Sequence, residues 1–178
     1  MKVSRRIISA TAFAFSAIAF LAYLALTAPA LPARMATHFD WGGQPNDWMS
    51  RGDYLLVFGS LGLGVAILIV GLCFALRFVP KWTINIPRRD YWLAPERRTQ
   101  TFDYLLNWAL WFGCLLLAFL TAVHHLVVEA NRQIPVVLPS SIGLISLIFV
   151  GGVLTWAGFL LVHFGKRRGT DPHLVTGC

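Results

Sequence analysis

The chain has 178 residues, enough for one domain, and 57% of them are hydrophobic against 13% charged, with a mean hydropathy of +0.65. So little polar surface cannot cover a water-exposed sphere, which excludes an ordinary soluble domain. The formal charge of +7 invites a nucleic-acid reading, but the basic residues sit beside apolar blocks and leave no basic, aromatic-interleaved surface for DNA or RNA.

Four nearly uncharged apolar blocks predict helices over about 7–28, 54–79, 102–128 and 140–165. Each is long enough to span a bilayer, since about 20 helical residues cross the hydrocarbon core. The expected fold is all-α: one integral membrane domain over 1–178, a four-transmembrane-helix bundle with an ordered outer loop between helices 1 and 2. The first block follows Lys2, Arg5 and Arg6 and ends near Ala28-Pro29-Ala30, the outline of a signal peptide. Its apolar run exceeds the usual length for such a segment, so an uncleaved first helix is expected.

The connection from Pro29 to Asp53 is rich in turn formers, with Gly42-Gly43 and Pro45-Asn46, and carries Trp41 and Trp48. That composition predicts a compact element on the membrane surface that buries part of both indoles. The second block carries Gly59, Ser60, Gly62, Gly64 and Gly71, and the fourth Gly143, Ser146, Gly151, Gly152, Thr155 and Gly158. These small-residue faces are expected to pack inside the bundle. Trp41, Trp48 and Tyr54 at one end, and Trp82, Tyr91, Trp92 and Tyr104 at the other, stand where an aromatic belt would form.

Lys and Arg set the expected orientation. Twelve of the 15 basic residues precede the first block, lie between the second and third, or follow the fourth; only Arg34, Arg51 and Arg132 occupy the other two connections. The positive-inside rule then puts both termini and the middle loop in the cytoplasm of a bacterial inner-membrane protein, with the 29–53 loop outside. Cys73 and Cys114 lie in apolar blocks and Cys178 ends the chain, with no metal-ligand spacing and no pair for a disulfide.

Several residues of the outer loop form a pattern: His38-Phe39, Asp40, Gly43, Pro45, Asp47-Trp48 and Ser50-Arg51. It resembles the signature of an uncharacterised bacterial membrane domain that also forms the N-terminal part of SdpI-type proteins, the toxin-immunity and signalling proteins of sporulation-delay systems. Asp40 replaces the usual Asn, Asn46 stands between Pro45 and Asp47, and Arg51 replaces Lys. The segment Asn85-Ile86-Pro87-Arg88-Arg89-Asp90-Tyr91-Trp92-Leu93-Ala94-Pro95-Glu96-Arg97-Arg98 is similar to a second stretch seen in stand-alone members. The resemblance implies an SdpI-like sensor, immunity factor or partner-binding module, and the absence of a nucleophile motif, with the distinctive residues in a folded loop, favours a non-enzymatic one. Its candidate ligand or partner residues are His38, Asp40, Gly43, Pro45, Asp47, Trp48 and Arg51. On the cytoplasmic side they are Asn85, Pro87, Asp90, Tyr91, Trp92, Pro95, Glu96 and Arg97.

From the residues alone, His125 and Glu129 are four apart and share a helical face. With His38 they form a candidate zinc set with one position open for water, the basis of an alternative reading as a membrane metalloenzyme. Adjacent His124 and His125 point about 100° apart and no HExxH motif is present, so the ordinary reading is interfacial histidines and no cofactor. At the cytoplasmic face, Asp90, Glu96 and Asp103 lie among Arg88, Arg89, Arg97 and Arg98. Salt bridges and lipid phosphates account for them, and the functional alternative is an anion- or partner-docking surface shared with His163 and Lys166 to Arg168. A small oligomeric transporter is a further alternative, weakened by the scarcity of mid-depth ionisable residues. The expected partners are the lipid bilayer and another membrane protein or an extracytoplasmic peptide.

Overall fold

The computed structural model describes residues 2–165; Lys166 to Arg168 and Cys178 lie outside them. α1 (Lys2–Thr27) runs through a short 3-10 turn into an antiparallel pair, β1 (Arg34–Phe39) and β2 (Pro45–Ser50). α2 (Arg51–Ala75) follows directly, then a loop holding one short helix, α3 (Arg89–Trp92), then α4 (Pro95–Asn131) and α5 (Ser141–Gly165). Four of these helices are long and apolar enough to cross a membrane, and they make the chain a candidate multi-pass membrane protein. α4 has 37 residues, or about 55 Å at 1.5 Å per residue, so it stands proud of a bilayer core of roughly 30 Å.

α4 is the keel. α1 and α2 pack mainly on it and touch each other little, while α5 makes only light contact with α4. Because lipid tails are as apolar as the side chains, tight fit and not dehydration drives this packing. Phe13 and Phe20 of α1, two turns apart on one face, fill the spaces left by two glycines. A Cβ on Gly113 of α4 would lie 2.5 Å from the Phe13 ring, and one on Gly62 of α2 would lie 2.9 Å from Phe20. Phe20, Leu24, Ala66 and Leu117 complete this central core.

The expected small-residue interface is only partly formed. Gly59 and Gly62 face α1, but a Cβ on Gly64, Gly71, Gly143, Gly151 or Gly158 would meet nothing within 4 Å, and Ser60 is exposed. The Ser60–Gly64 and Gly151–Thr155 faces therefore look out of the bundle, because the bulky α1 phenylalanines select Gly62 and Gly113 as holes. Helix limits shift as well: the third apolar block extends back to Pro95, which occupies the first helical turn where its missing N–H costs nothing.

The outer loop is a β-hairpin, which the sequence reading did not foresee. Ser50 begins α2 with a reciprocal cap, its Oγ accepting from the Asp53 amide at 3.1 Å and donating to Asp53 Oδ2 at 2.6 Å. The ladder pairs Phe39 with Pro45, His38 with Asp47 and Ala36 with Trp48. Asn46 and Thr37 are thus the extra residues of a double irregularity, one on each strand. The Asn46 that departs from the resembled signature falls at this bulge, where one more residue bends the ribbon without changing its ends.

Candidate functional site

At the hairpin end, the buried face of the ribbon rests on the ends of α2 and α4, with Leu31, Met35, Tyr54, Val127 and Val128 forming one core. Polar side chains fix its position. Asn131, in the last turn of α4 and 8% exposed, donates to the carbonyl of Ala36 at 2.9 Å and accepts from its amide at 2.8 Å. In an antiparallel pair every second residue turns its amide and carbonyl away from its neighbour. The Asn131 carboxamide supplies what a third strand would have supplied. Arg51 reaches back to the carbonyls of Leu31 and Ala28 at 3.1 and 3.5 Å, tying the ribbon to the end of α1.

The tip is held equally firmly. Asp40 Oδ1 accepts from the amides of Gly42 and Gln44 at 2.8 and 2.9 Å. Gly43 has φ +78°, and its carbonyl accepts from the Leu138 amide at 2.9 Å. A Cβ there would lie 2.8 Å from the Leu138 carbonyl oxygen, so conformation and space both demand glycine. Pro45 opens β2, a position without a ladder donor to lose. Asp47 Oδ1 accepts from the Trp48 amide at 2.8 Å, and its Oδ2 lies 3.5 Å from His38 Nδ1 on the opposite strand.

Trp41 projects wholly into the surroundings and Trp48 is 38% exposed. The expectation that both indoles are partly buried fails for Trp41, because Asp40 and the Gly43–Leu138 contact hold the tip without it. Tyr54, expected in an aromatic belt, is instead 4% exposed.

Tyr54 belongs to a buried network that joins three helices. The His124 imidazole, wholly buried, stacks on the Tyr54 ring and lies between two hydroxyls: Tyr54 Oη 2.8 Å from Nδ1 and Thr27 Oγ1 2.7 Å from Nε2. Thr27 Oγ1 spends its proton on the Tyr23 carbonyl at 2.8 Å. It must therefore accept from His124 Nε2–H, which leaves Nδ1 to accept from Tyr54. A neutral imidazole in this tautomer satisfies every partner. His125 points away from the interior, and its Nδ1 meets Tyr23 Oη at 2.7 Å. Sequence reasoning treated His124 as interfacial and overlooked Thr27, Tyr54 and Asn131. The available signal was the i, i+7 spacing of His124 and Asn131, two polar groups on one face of an apolar helix.

Two spaces flank the network. Under the hairpin, Thr37, His38 and Met49 roof an apolar groove of about 370 Å³ between α2 and α4, walled by Tyr54, Val57, Leu61 and Leu120 among others. On the other side, between α1 and α4, Tyr23, Thr27, His125, Glu129, Arg132 and Gln133 line a polar pocket of about 320 Å³. His38 thus lines one space while His125 and Glu129 line the other. Among the described residues no three His, Cys, Asp or Glu side chains form a group able to hold a metal ion. The zinc set of His38, His125 and Glu129 is not assembled, because the strand carrying His38 crosses the α2 side of α4.

At the opposite end, the loop before α4 is also built. Arg88 sits in the left-handed region at φ 55° and starts α3. Asp90 pairs with Lys81 at 2.9 Å, and this hydrogen bond and charge hold its carboxyl below the usual carboxylate value. Trp92 Nε1 donates to the Phe164 carbonyl, Thr101 donates to the Trp92 carbonyl, and the Arg97 guanidinium lies 4.0 Å from the Tyr91 ring centre. Asn85, Pro87 and Glu96 are exposed, Pro95 and Glu96 forming the first turn of α4. Asp103 lies between Arg6 at 3.6 Å and Arg77 at 3.8 Å, near enough for attraction and too far for hydrogen bonds. His163 is stacked on Tyr104 at 4.0 Å, and the Lys166 to Arg168 run expected beside it lies outside the described residues.

The most fully built part of the molecule is therefore the helix–hairpin–helix from α1 to α2. Residues 14–61 match the domain of unknown function DUF1648. The match starts at Ala14 in α1, takes in Thr27, the whole hairpin and Tyr54, and ends at Leu61 in α2. It excludes His124 and Asn131, the α4 residues that complete the domain's polar contacts here. No curated protein and no solved structure matches the chain.

Proposed function

We propose that this chain is a non-enzymatic, multi-pass membrane module that binds a hydrophobic or amphipathic peptide segment of a partner through its hairpin and the groove beneath it. The hairpin faces outward and both termini the cytoplasm, a topology supported by the twelve-to-three division of basic residues. The observation that carries the reading is the union of a rigid roof and an apolar floor. Asn131, Arg51 and the Gly43 contact immobilise the ribbon, which roofs the groove with Thr37, His38 and Met49 and exposes Trp41 and Trp48. Exposed aromatics on an immobile frame bind at low ordering cost. Thr37 and the His38–Asp47 pair at the rim provide polar contacts for the partner backbone. The resemblance to SdpI-type proteins favours a peptide, since those proteins answer a secreted toxin.

A photo-crosslinking residue at Trp41 or at Val57 tests this in native membranes, with Leu154 on α5 as control. Expected is one shared polypeptide adduct from Trp41 and Val57 that is missing from Leu154. Lipid adducts alone, or the same adducts from all three positions, overturn the reading. Cysteine labelling at Gln44 from outside intact cells, and at Asn85 only after permeabilisation, tests the orientation.

A further inference from the structure

The polar pocket between α1 and α4 takes no part in that proposal, and its chemistry differs from the groove's. It lies where two spans end. Tyr23 is one turn short of the end of α1, and His125, Glu129 and Arg132 occupy the last two turns and the cap of α4. Glu129 and Arg132 bring one charge of each sign to the same wall, and both are exposed. Although three residues apart on a helix they are neighbours, no ion pair within 4 Å joins them or links either to another described residue. Gln133 also lines the pocket, its amide donating to the Val137 carbonyl at 2.9 Å.

Tyr23 and His125 are paired with each other. Tyr23 Oη has the His125 Nδ1 as its hydrogen-bond partner. Whichever of the two donates, the pair keeps one further proton, on His125 Nε2 or on Tyr23 Oη. The pocket thus presents two donors, the Arg132 guanidinium and the remaining N–H or O–H of the Tyr23–His125 pair, beside one carboxylate acceptor. This pattern suits an anionic group rich in acceptor oxygens joined to an ammonium. Nearer the bilayer centre the wall turns small and uncharged: Ala19 lies one turn below Tyr23, and Thr121 and Ala118 one and two turns below His125. Ala19 and Ala118 are exposed there, so an acyl chain leaving the pocket toward the membrane core can lie along the outside of the seam.

We infer that this pocket holds the head group of a membrane phospholipid bearing both a phosphate and a primary ammonium. Arg132 and the Tyr23–His125 pair take the phosphate, Glu129 the ammonium, and the surface along the α1–α4 seam an acyl chain. The site is independent of which face of the membrane the hairpin occupies and of any partner in the groove. Its volume of about 320 Å³ falls at the lower end for small-molecule sites.

Native mass spectrometry of the full chain, released from micelles containing equal amounts of phosphatidylethanolamine, phosphatidylglycerol and phosphatidylcholine with identical acyl chains, tests the assignment. Phosphatidylethanolamine is expected to be retained above both others. Phosphatidylcholine has the same charges but no ammonium N–H for Glu129. Glu129→Gln should lower phosphatidylethanolamine retention by roughly twofold to fivefold, as befits an exposed charge pair, and leave phosphatidylglycerol unchanged. Arg132→Gln should lower both. Equal retention of the three lipids by the unaltered protein overturns the inference without recourse to variants, and so does a preference that survives Glu129→Gln. Displacement of bound phosphatidylethanolamine by an equal concentration of water-soluble glycerophosphoethanolamine overturns the lipid as the source.

Discussion

Asn131→Ala should release the hairpin from α4 while leaving the membrane spans in place. The carboxamide is the partner of both the amide and the carbonyl of Ala36, a residue with no exposed surface. Truncation leaves two buried polar groups unmatched, each at about 1–3 kcal/mol, so the ribbon loses at least about 2 kcal/mol of local stability. With tenfold for every 1.4 kcal/mol, local opening becomes roughly 30-fold more frequent or more. Amide hydrogen exchange in lipid nanodiscs reads this directly: peptides covering 34–50 should exchange faster by that factor, while those within α1 and the middle of α4 keep their protection. Exchange of the 34–50 peptides within twofold of the unaltered protein would show that the ribbon is held by its apolar face alone, and would refute the account of Asn131 as a surrogate strand.

Tyr54→Phe removes the donor to His124 Nδ1 and should cost about 1–2 kcal/mol in a detergent unfolding titration, whereas Trp41→Ala should stay within about 0.5 kcal/mol. The reverse order would mean that the tip indole, not the buried imidazole, organises this end. Gly43→Ala forces a Cβ against Leu138 at a positive φ and should destabilise the tip by roughly 1–3 kcal/mol, seen as new protease cleavage between Trp41 and Asn46. Lys81 holds the Asp90 carboxyl below its ordinary value, so their pairing is complete above that value and is lost as pH falls through the lowered one. Fluorescence of Trp82 and Trp92 should therefore change on strong acidification, and Lys81→Met should abolish that change.

The spans were legible because hydrocarbon thickness imposes a length and composition that no soluble segment of this chain shares. The hairpin was not, since neither strand alternates cleanly. β1 has adjacent Met35 and Ala36 both buried, the second beneath Asn131 of a distant helix, and β2 leaves Asn46, Asp47 and Trp48 all exposed around its bulge. The turn chemistry of Asp40 to Gln44 was visible, but its anchor, Leu138, lies almost a hundred residues away. The same distance hid the imidazole network: Thr27 and Tyr54 become polar partners only once His124 of a later helix arrives. Pairing His125 with Glu129 was correct as helical geometry, and only the third ligand was misplaced, because helix spacing says nothing of which side a strand will cross.

The keel arrangement bears on how such a chain is made. α1 and α2 precede α4 in synthesis, yet most of their contacts are with it. During insertion the first two spans must therefore wait in the bilayer as loosely associated helices. Thr27 meanwhile bonds its own backbone, Tyr54 has no imidazole to meet, and the glycine cleft that will receive Phe13 does not yet exist. Emergence of α4 then closes three interfaces at once and seats the hairpin by Asn131, its last helical residue. Assembly of this end is accordingly timed by completion of the third span, and a chain stalled before residue 131 would display the ribbon without its keel, a natural substrate for membrane quality control.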